Sequence, residues 1–91
     1  MTAKMKLIAL IGLFRGVLAQ KDLTEQERHK HLERLSKELD PIELYHPDEE
    51  IRKIAESVRG MRDLLKYGDD DLRRLGDWGM RFLAARTIGL L

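Results

Sequence analysis

Ninety-one residues make one small domain and exclude two; a core this thin is often completed by association with another chain. The absence of cysteine excludes a disulfide framework and a thiolate metal site, and it suits a reducing compartment such as the cytoplasm. Charged residues make up 36% of the chain and mean hydropathy is −0.42, values typical of a soluble protein.

The net charge of +1 conceals an arrangement. Lys4, Lys6, Arg15 and Lys21 stand without an acid over residues 1–21; acids outnumber bases over 22–71; over 72–91, four arginines face Asp77 alone. Basic ends around an acidic middle suit intramolecular or head-to-tail pairing. Nucleic acid asks instead for one concentrated basic face.

The first predicted helix runs from about Lys4 to Gln20. At 100° per residue, Leu7, Leu10, Ile11, Phe14, Val17 and Leu18 form a broad apolar face. The reverse holds Ala9, Gly12, Gly16 and Ala19, with Ile8 and Leu13 on the flanks; Arg15 is the one charge between Lys6 and Lys21. A helix apolar on nearly all sides has to be buried on nearly all sides. Three further short helices, which must also cover one another, cannot do this alone. The spacing Gly12-x-x-x-Gly16 would let the backbone of a neighbouring helix come close. The segment also has the outline of a leader peptide, with a basic start, an apolar run and Val17-Leu18-Ala19. The run spans only Leu7 to Phe14, however, and Arg15 interrupts it, so a leader is not expected. A transmembrane span is excluded, because it needs about 20 apolar residues.

The second helix starts at Thr24, an N-cap with Glu27 three positions on, which is a capping box. Leu32, Leu35 and Leu39 give it a narrow apolar stripe. It is predicted to end near Leu39, because Pro41 disfavours helical geometry at Asp40, leaving residues 40–47 as a loop. Glu25 precedes His29 by four residues and Glu27 precedes His31 by four, which predicts carboxylate–imidazole pairs. His29 and His31 lie about 200° apart around the helix, so they cannot share a metal ion. Leu7 to Leu39 loosely resembles the opening helix pair of tellurite-resistance-type, TerB-like helical domains. The stretch that carries this is Leu18-Ala19-Gln20-Lys21-Asp22-Leu23-Thr24-Glu25-Gln26-Glu27. In place of the Asp-Gly pair expected in that turn stands Lys21-Asp22-Leu23, and the resemblance implies no site residue here.

Pro47 followed by Asp48, Glu49 and Glu50 predicts the start of the third helix, and Gly68 caps it after Tyr67. Ile51, Ile54, Val58, Met61 and Leu65 form one continuous stripe. The opposite face carries Arg52, Lys53, Glu56, Arg59 and Asp63 and reads as solvated, with Glu49–Lys53, Arg52–Glu56 and Arg59–Asp63 pairs along it. Asp69, Asp70 and Asp71 open the fourth helix, which reaches at least Ala85. Leu72, Leu75, Trp78, Phe82 and Leu83 share a face with Gly79, and Gly76 borders it. The apolar tail Thr87 to Leu91 predicts docking, either on this domain's own core or on a second subunit.

Little in the chain carries chemistry. The serines and threonines sit in no strained glycine turn, there is no strand to support a phosphate loop, and Asp69–Asp71 lacks the spacing and glycine of a calcium loop. An enzyme is therefore not expected, nor a cofactor or a metal. A helix-turn-helix would read DNA with Arg73, Arg74 and Arg81, but the three acids in that helix's first turn repel the duplex. The expectation is an all-α bundle of about four helices over residues 1–91 that oligomerises. It would act as a non-enzymatic protein–protein interaction module, a homo-oligomer or a small subunit or regulator of a larger complex. The predicted interface is Leu10, Gly12, Leu13, Gly16, Trp78, Phe82, Ile88, Leu90 and Leu91. A nucleic-acid-associated regulator and a membrane-peripheral or exported protein are the alternatives.

Overall fold

Each helix begins where a short polar side chain can accept a backbone N–H that the first turn leaves unpaired. A computed structural model describes residues 2–90. Thr2 Oγ1 accepts from Met5 N at 3.2 Å to start α1, Ala3–Ala19. Thr24 accepts from Glu27 N at 3.1 Å while Glu27 accepts from Thr24 N, completing the expected capping box of α2, Glu25–Tyr45. Asp48 accepts from Glu50 N to open α3, Glu49–Tyr67, and Asp69 accepts from Leu72 N to open α4, Asp70–Gly89. These four helices make a small all-α bundle, with no strand among the described residues.

α1 and α3 are central. Each packs against all three other helices, whereas α2 and α4 do not touch one another. The core is Leu7, Leu10, Ile11 and Phe14 from α1; Leu32, Leu35, Leu39 and Ile42 from α2; Ile51, Ile54, Ala55 and Val58 from α3; and Met80 and Leu83 from α4. The α3 stripe is thus the one expected, with Met61 and Leu65 half-buried at its C-terminal end. Two hydroxyls are buried in this core, and both are satisfied: Ser36 Oγ donates to Leu32 O and Thr87 Oγ1 to Leu83 O, each at 2.7 Å.

α2 does not stop before its proline. It continues through Pro41 to Tyr45, so the connection to α3 shrinks to residues 46–48. Proline removes one helical N–H and crowds the preceding turn, but Pro41 lies on the exposed side, where water can solvate the freed carbonyl. The turn beyond it is held by α3. Ile42 is buried, and Arg59 reaches across to Asp40 at 2.6 Å and to Glu43 at 2.8 Å. Desolvation works against the Arg59 charge, but the hydrogen bonds to Glu43 and Asp40 outweigh it and raise its pKa. The arginines on the back of α3 therefore tie helices together and are not simply solvated. Glu49–Lys53 forms as expected at 3.4 Å, whereas Arg52 donates to His46 O at 2.6 Å and Arg62 bonds Ser36 and Asp63. At the α1–α2 seam the Lys6 ammonium, 2.8 Å from Glu38, holds that carboxyl below the usual range. That pair favours the fold at neutral pH and ceases to as falling pH protonates Glu38.

α4 divides the face predicted for it, with Gly79 and Leu83 turned inward and Leu72, Leu75, Trp78 and Phe82 exposed. Its inward residues are Gly76, Gly79, Met80, Leu83 and Thr87. The two glycines set this orientation, because they let the α4 backbone settle onto α3. A Cβ at position 79 would lie 2.5 Å from Met61 Sδ, and one at 76 would lie 3.1 Å from Leu65 Cγ and 3.2 Å from Leu64 Cβ. Gly68, in the turn between the helices, is needed for the same reason and not for a left-handed backbone. Its φ is −72°, but a Cβ there would be 2.6 Å from Leu64 O and 2.7 Å from Leu72 Cβ. Small residues fill the seam, and beside the buried Met80 and Leu83 the large residues Leu72, Leu75, Trp78 and Phe82 are left exposed.

Candidate interaction surface

The outward face of α4 is the most unusual surface of the molecule. Leu72, Leu75, Trp78 and Phe82 are 43%, 52%, 64% and 53% exposed. The Trp78 and Phe82 rings stack, with centroids 5.8 Å apart and planes 15° from parallel. Burying apolar surface is worth about 25 cal/mol per Å², so leaving four such side chains half in water forfeits a term that core packing normally collects. Scattered exposed leucines are ordinary; a contiguous aromatic and aliphatic strip along one helix is not.

Charge frames this strip. Trp78 lines a shallow concavity with Asp70, Arg73, Arg74, Asp77 and Arg81. Asp77 is shared: Arg15 Nε reaches its Oδ1 at 2.7 Å and Arg81 Nε its Oδ2 at 3.1 Å. Arg73 and Arg74 make no ion pair among the described residues. At the end of the helix Arg86 is bound to Glu50 of α3.

A second, milder apolar surface lies on the back of α1. Met5 and Leu13 are half-exposed, and Ala9, Gly12, Gly16 and Ala19 are exposed. A Cβ added at Gly12 or Gly16 would meet nothing within 4 Å. The leading helix is therefore not enclosed by its own chain. Its uncovered side is mostly glycine and alanine, however, and these lose little by facing water, which is how so short a chain carries so apolar a helix. Gly12→Ala and Gly16→Ala should each raise stability by about 0.5–1 kcal/mol, the helix-propensity gain at an unobstructed site. Urea denaturation of the single variants checks this, and a loss of stability at either position would contradict the open space there.

The nine predicted interface residues fall into distinct places. Gly12, Leu13 and Gly16 lie on the back of α1, and Trp78, Phe82 and Ile88 are exposed on α4. The Arg15–Asp77–Arg81 ion pairs run along the α1–α4 seam between the two groups. Leu10 needs correction: it is 3% exposed and belongs to the core, because it sits on the same side of the helix as Leu7 and Phe14. Leu90 packs against the core, and its carbonyl accepts from Lys4 Nζ at 2.7 Å. Thr87 is fully buried, so the tail docks in part on its own domain. Leu91 lies outside the described residues. Leu72 and Leu75, which the sequence places on one face with Trp78 and Phe82 but outside the predicted interface, belong to the exposed strip.

The histidines also take other partners than expected. His29 pairs with Glu33 at 3.1 Å and lies 2.8 Å from Lys66 Nζ, while His31 faces Arg34. Each thus pairs toward the C-terminus and not with Glu25 or Glu27. Among the described residues no group of three His, Asp or Glu side chains is placed to hold a metal ion. Among the described residues no helix is long and apolar enough to cross a membrane. No family model, curated protein or solved structure matches the chain significantly.

Proposed function

We propose that the chain is a non-enzymatic protein–protein interaction module, held as a subunit or regulator to another protein chain through the outer face of α4. One observation carries this reading: α4 turns Leu72, Leu75, Trp78 and Phe82 to solvent while glycines occupy its seam with α3. Tryptophan and arginine are the residue types that most often dominate binding energy at interfaces, particularly where an apolar centre is ringed by polar groups. Trp78 with Arg73, Arg74 and Arg81 has that composition. The back of α1 is a secondary surface whose small residues would admit close approach of a helix. The lack of cysteine fits a cytoplasmic setting.

A photo-crosslinking residue placed at position 82, in the protein's native host, tests the reading. The control is the same residue at position 37, an exposed lysine on α2, the helix that does not touch α4. Adducts to protein from position 82 and few from position 37 are expected. Equal yields from both, or nuclease-sensitive adducts alone from 82, would overturn it.

A further inference from the structure

We infer that the occupant of this face is a second copy of the chain, docked with the two α4 helices antiparallel. The inference rests on the reading of α4 as an interaction surface and adds what covers it.

The charges along α4 change sign with position. The helix opens with Asp69, Asp70 and Asp71; Arg73 and Arg74 follow, then Trp78, and then Arg81, while Asp77 is held on the α1 side by Arg15. A foreign surface of uniform sign would meet like charge at one end of this strip or the other. What fits is a surface with the opposite polarity, and an antiparallel copy of the same helix supplies it. Isologous contacts require this self-complementarity, in which the same patch serves both subunits. The helix dipoles also oppose one another in that arrangement.

A register follows from the helical rise of about 1.5 Å per residue. In an antiparallel crossing level with residue 76, positions whose numbers lie equally before and after it come opposite each other. Asp71 then faces the partner's Arg81, and Arg74 lies against the partner's Trp78, where a guanidinium can rest on the indole. Leu75 and Trp78 of both copies meet at the centre. Twofold symmetry forms each of these contacts twice.

Charge exchange tests the inference. The wild-type chain is expected to approach twice its 10.6 kDa mass by light scattering at high concentration and to dissociate on dilution. Asp71→Arg and Arg81→Asp should each weaken self-association at least about tenfold, since each replaces two attractive pairs with two repulsive ones. Mixed in equal amounts, the two variants should form a one-to-one heterodimer. In it the arginine introduced at position 71 of one chain faces the aspartate introduced at position 81 of the other. Recovery in the mixture also shows that neither variant is misfolded, and far-UV circular dichroism of each alone provides a second check.

A wild-type chain that stays monomeric at every concentration would overturn the inference. So would self-association indifferent to both reversals, or a mixture that forms no heterodimer. Loss of the second copy and loss of the α4 surface give different results. A monomeric chain whose position-82 probe still captures another protein removes the second copy and leaves α4 as an interaction surface. A probe that captures nothing removes both.

Discussion

Gly79→Leu is expected to destabilise this domain by about 3 kcal/mol or more, whereas Gly12→Leu leaves its stability nearly unchanged. At position 79 even a Cβ would come within 2.5 Å of Met61 Sδ and 3.2 Å of its Cγ and Cε. Met61 is flexible and can yield to an alanine. A leucine has to lever α4 away from α3, along the seam where Gly76 also rests on Leu64 and Leu65. Overpacking of this kind typically costs about 1–3 kcal/mol and more when a backbone must move. A domain of this length has roughly 5–14 kcal/mol in total, at about 0.05–0.15 kcal/mol per residue. At Gly12 the added side chain meets open space, and leucine is the better helix former. Urea melts of the two variants, followed by far-UV circular dichroism, give the comparison. Equal effects at the two positions would contradict the close α3–α4 seam.

The two phenylalanines provide the second large contrast. Phe14 is fully buried among the core residues of α1 and its neighbours, and Phe82 is about half-exposed on α4. Phe14→Ala should destabilise the domain by about 3–5 kcal/mol, the usual loss when an aromatic core side chain leaves a cavity. Phe82→Ala, measured in dilute solution so that association does not contribute, should change stability by no more than about 0.5 kcal/mol. A cost at Phe82 comparable to that at Phe14 would mean that α4 is rotated the other way, with its aromatic strip inside.

Helix starts were legible in the sequence because they are local. Thr24 with Glu27, Asp48 before two glutamates, and the Asp69–Asp71 run each bring the acceptor and the N–H it caps within three residues. The α3 stripe was legible too, since its two faces differ sharply in polarity. α4 has no such contrast. Leu72, Leu75, Trp78, Phe82 and Leu83 share a face with Gly79, and periodicity alone cannot say which part of that face turns inward. What decides the matter is a tertiary fact, the close approach of α3, which only Gly76 and Gly79 permit. Pro41 misled for a related reason. A local penalty of one lost hydrogen bond was outweighed by the burial of Ile42 and the Arg59 pairs, which come from residues far along the chain. Leu10 falls in the predicted interface because α1 is apolar on most sides, and composition cannot say which side its own chain covers. The outer strip of α4, as a site, was half legible: Leu72, Leu75, Trp78 and Phe82 could be placed on one face, but not the inward turn of Leu83 from that face.

Hydroxyl-radical footprinting in intact cells reads side-chain exposure at named positions, and it reports whether α4 is covered whatever the identity of the covering chain. Trp78, the chain's single tryptophan, should be oxidised severalfold more slowly in cells than in the dilute purified chain, and Phe82 with it. Tyr45 and Tyr67, 80% and 72% exposed at the ends of α2 and α3, serve as internal references and should react alike in both settings. If Trp78 reacts in cells as freely as it does in dilute solution, then the strip faces water where the protein works, and α4 is not a docking surface.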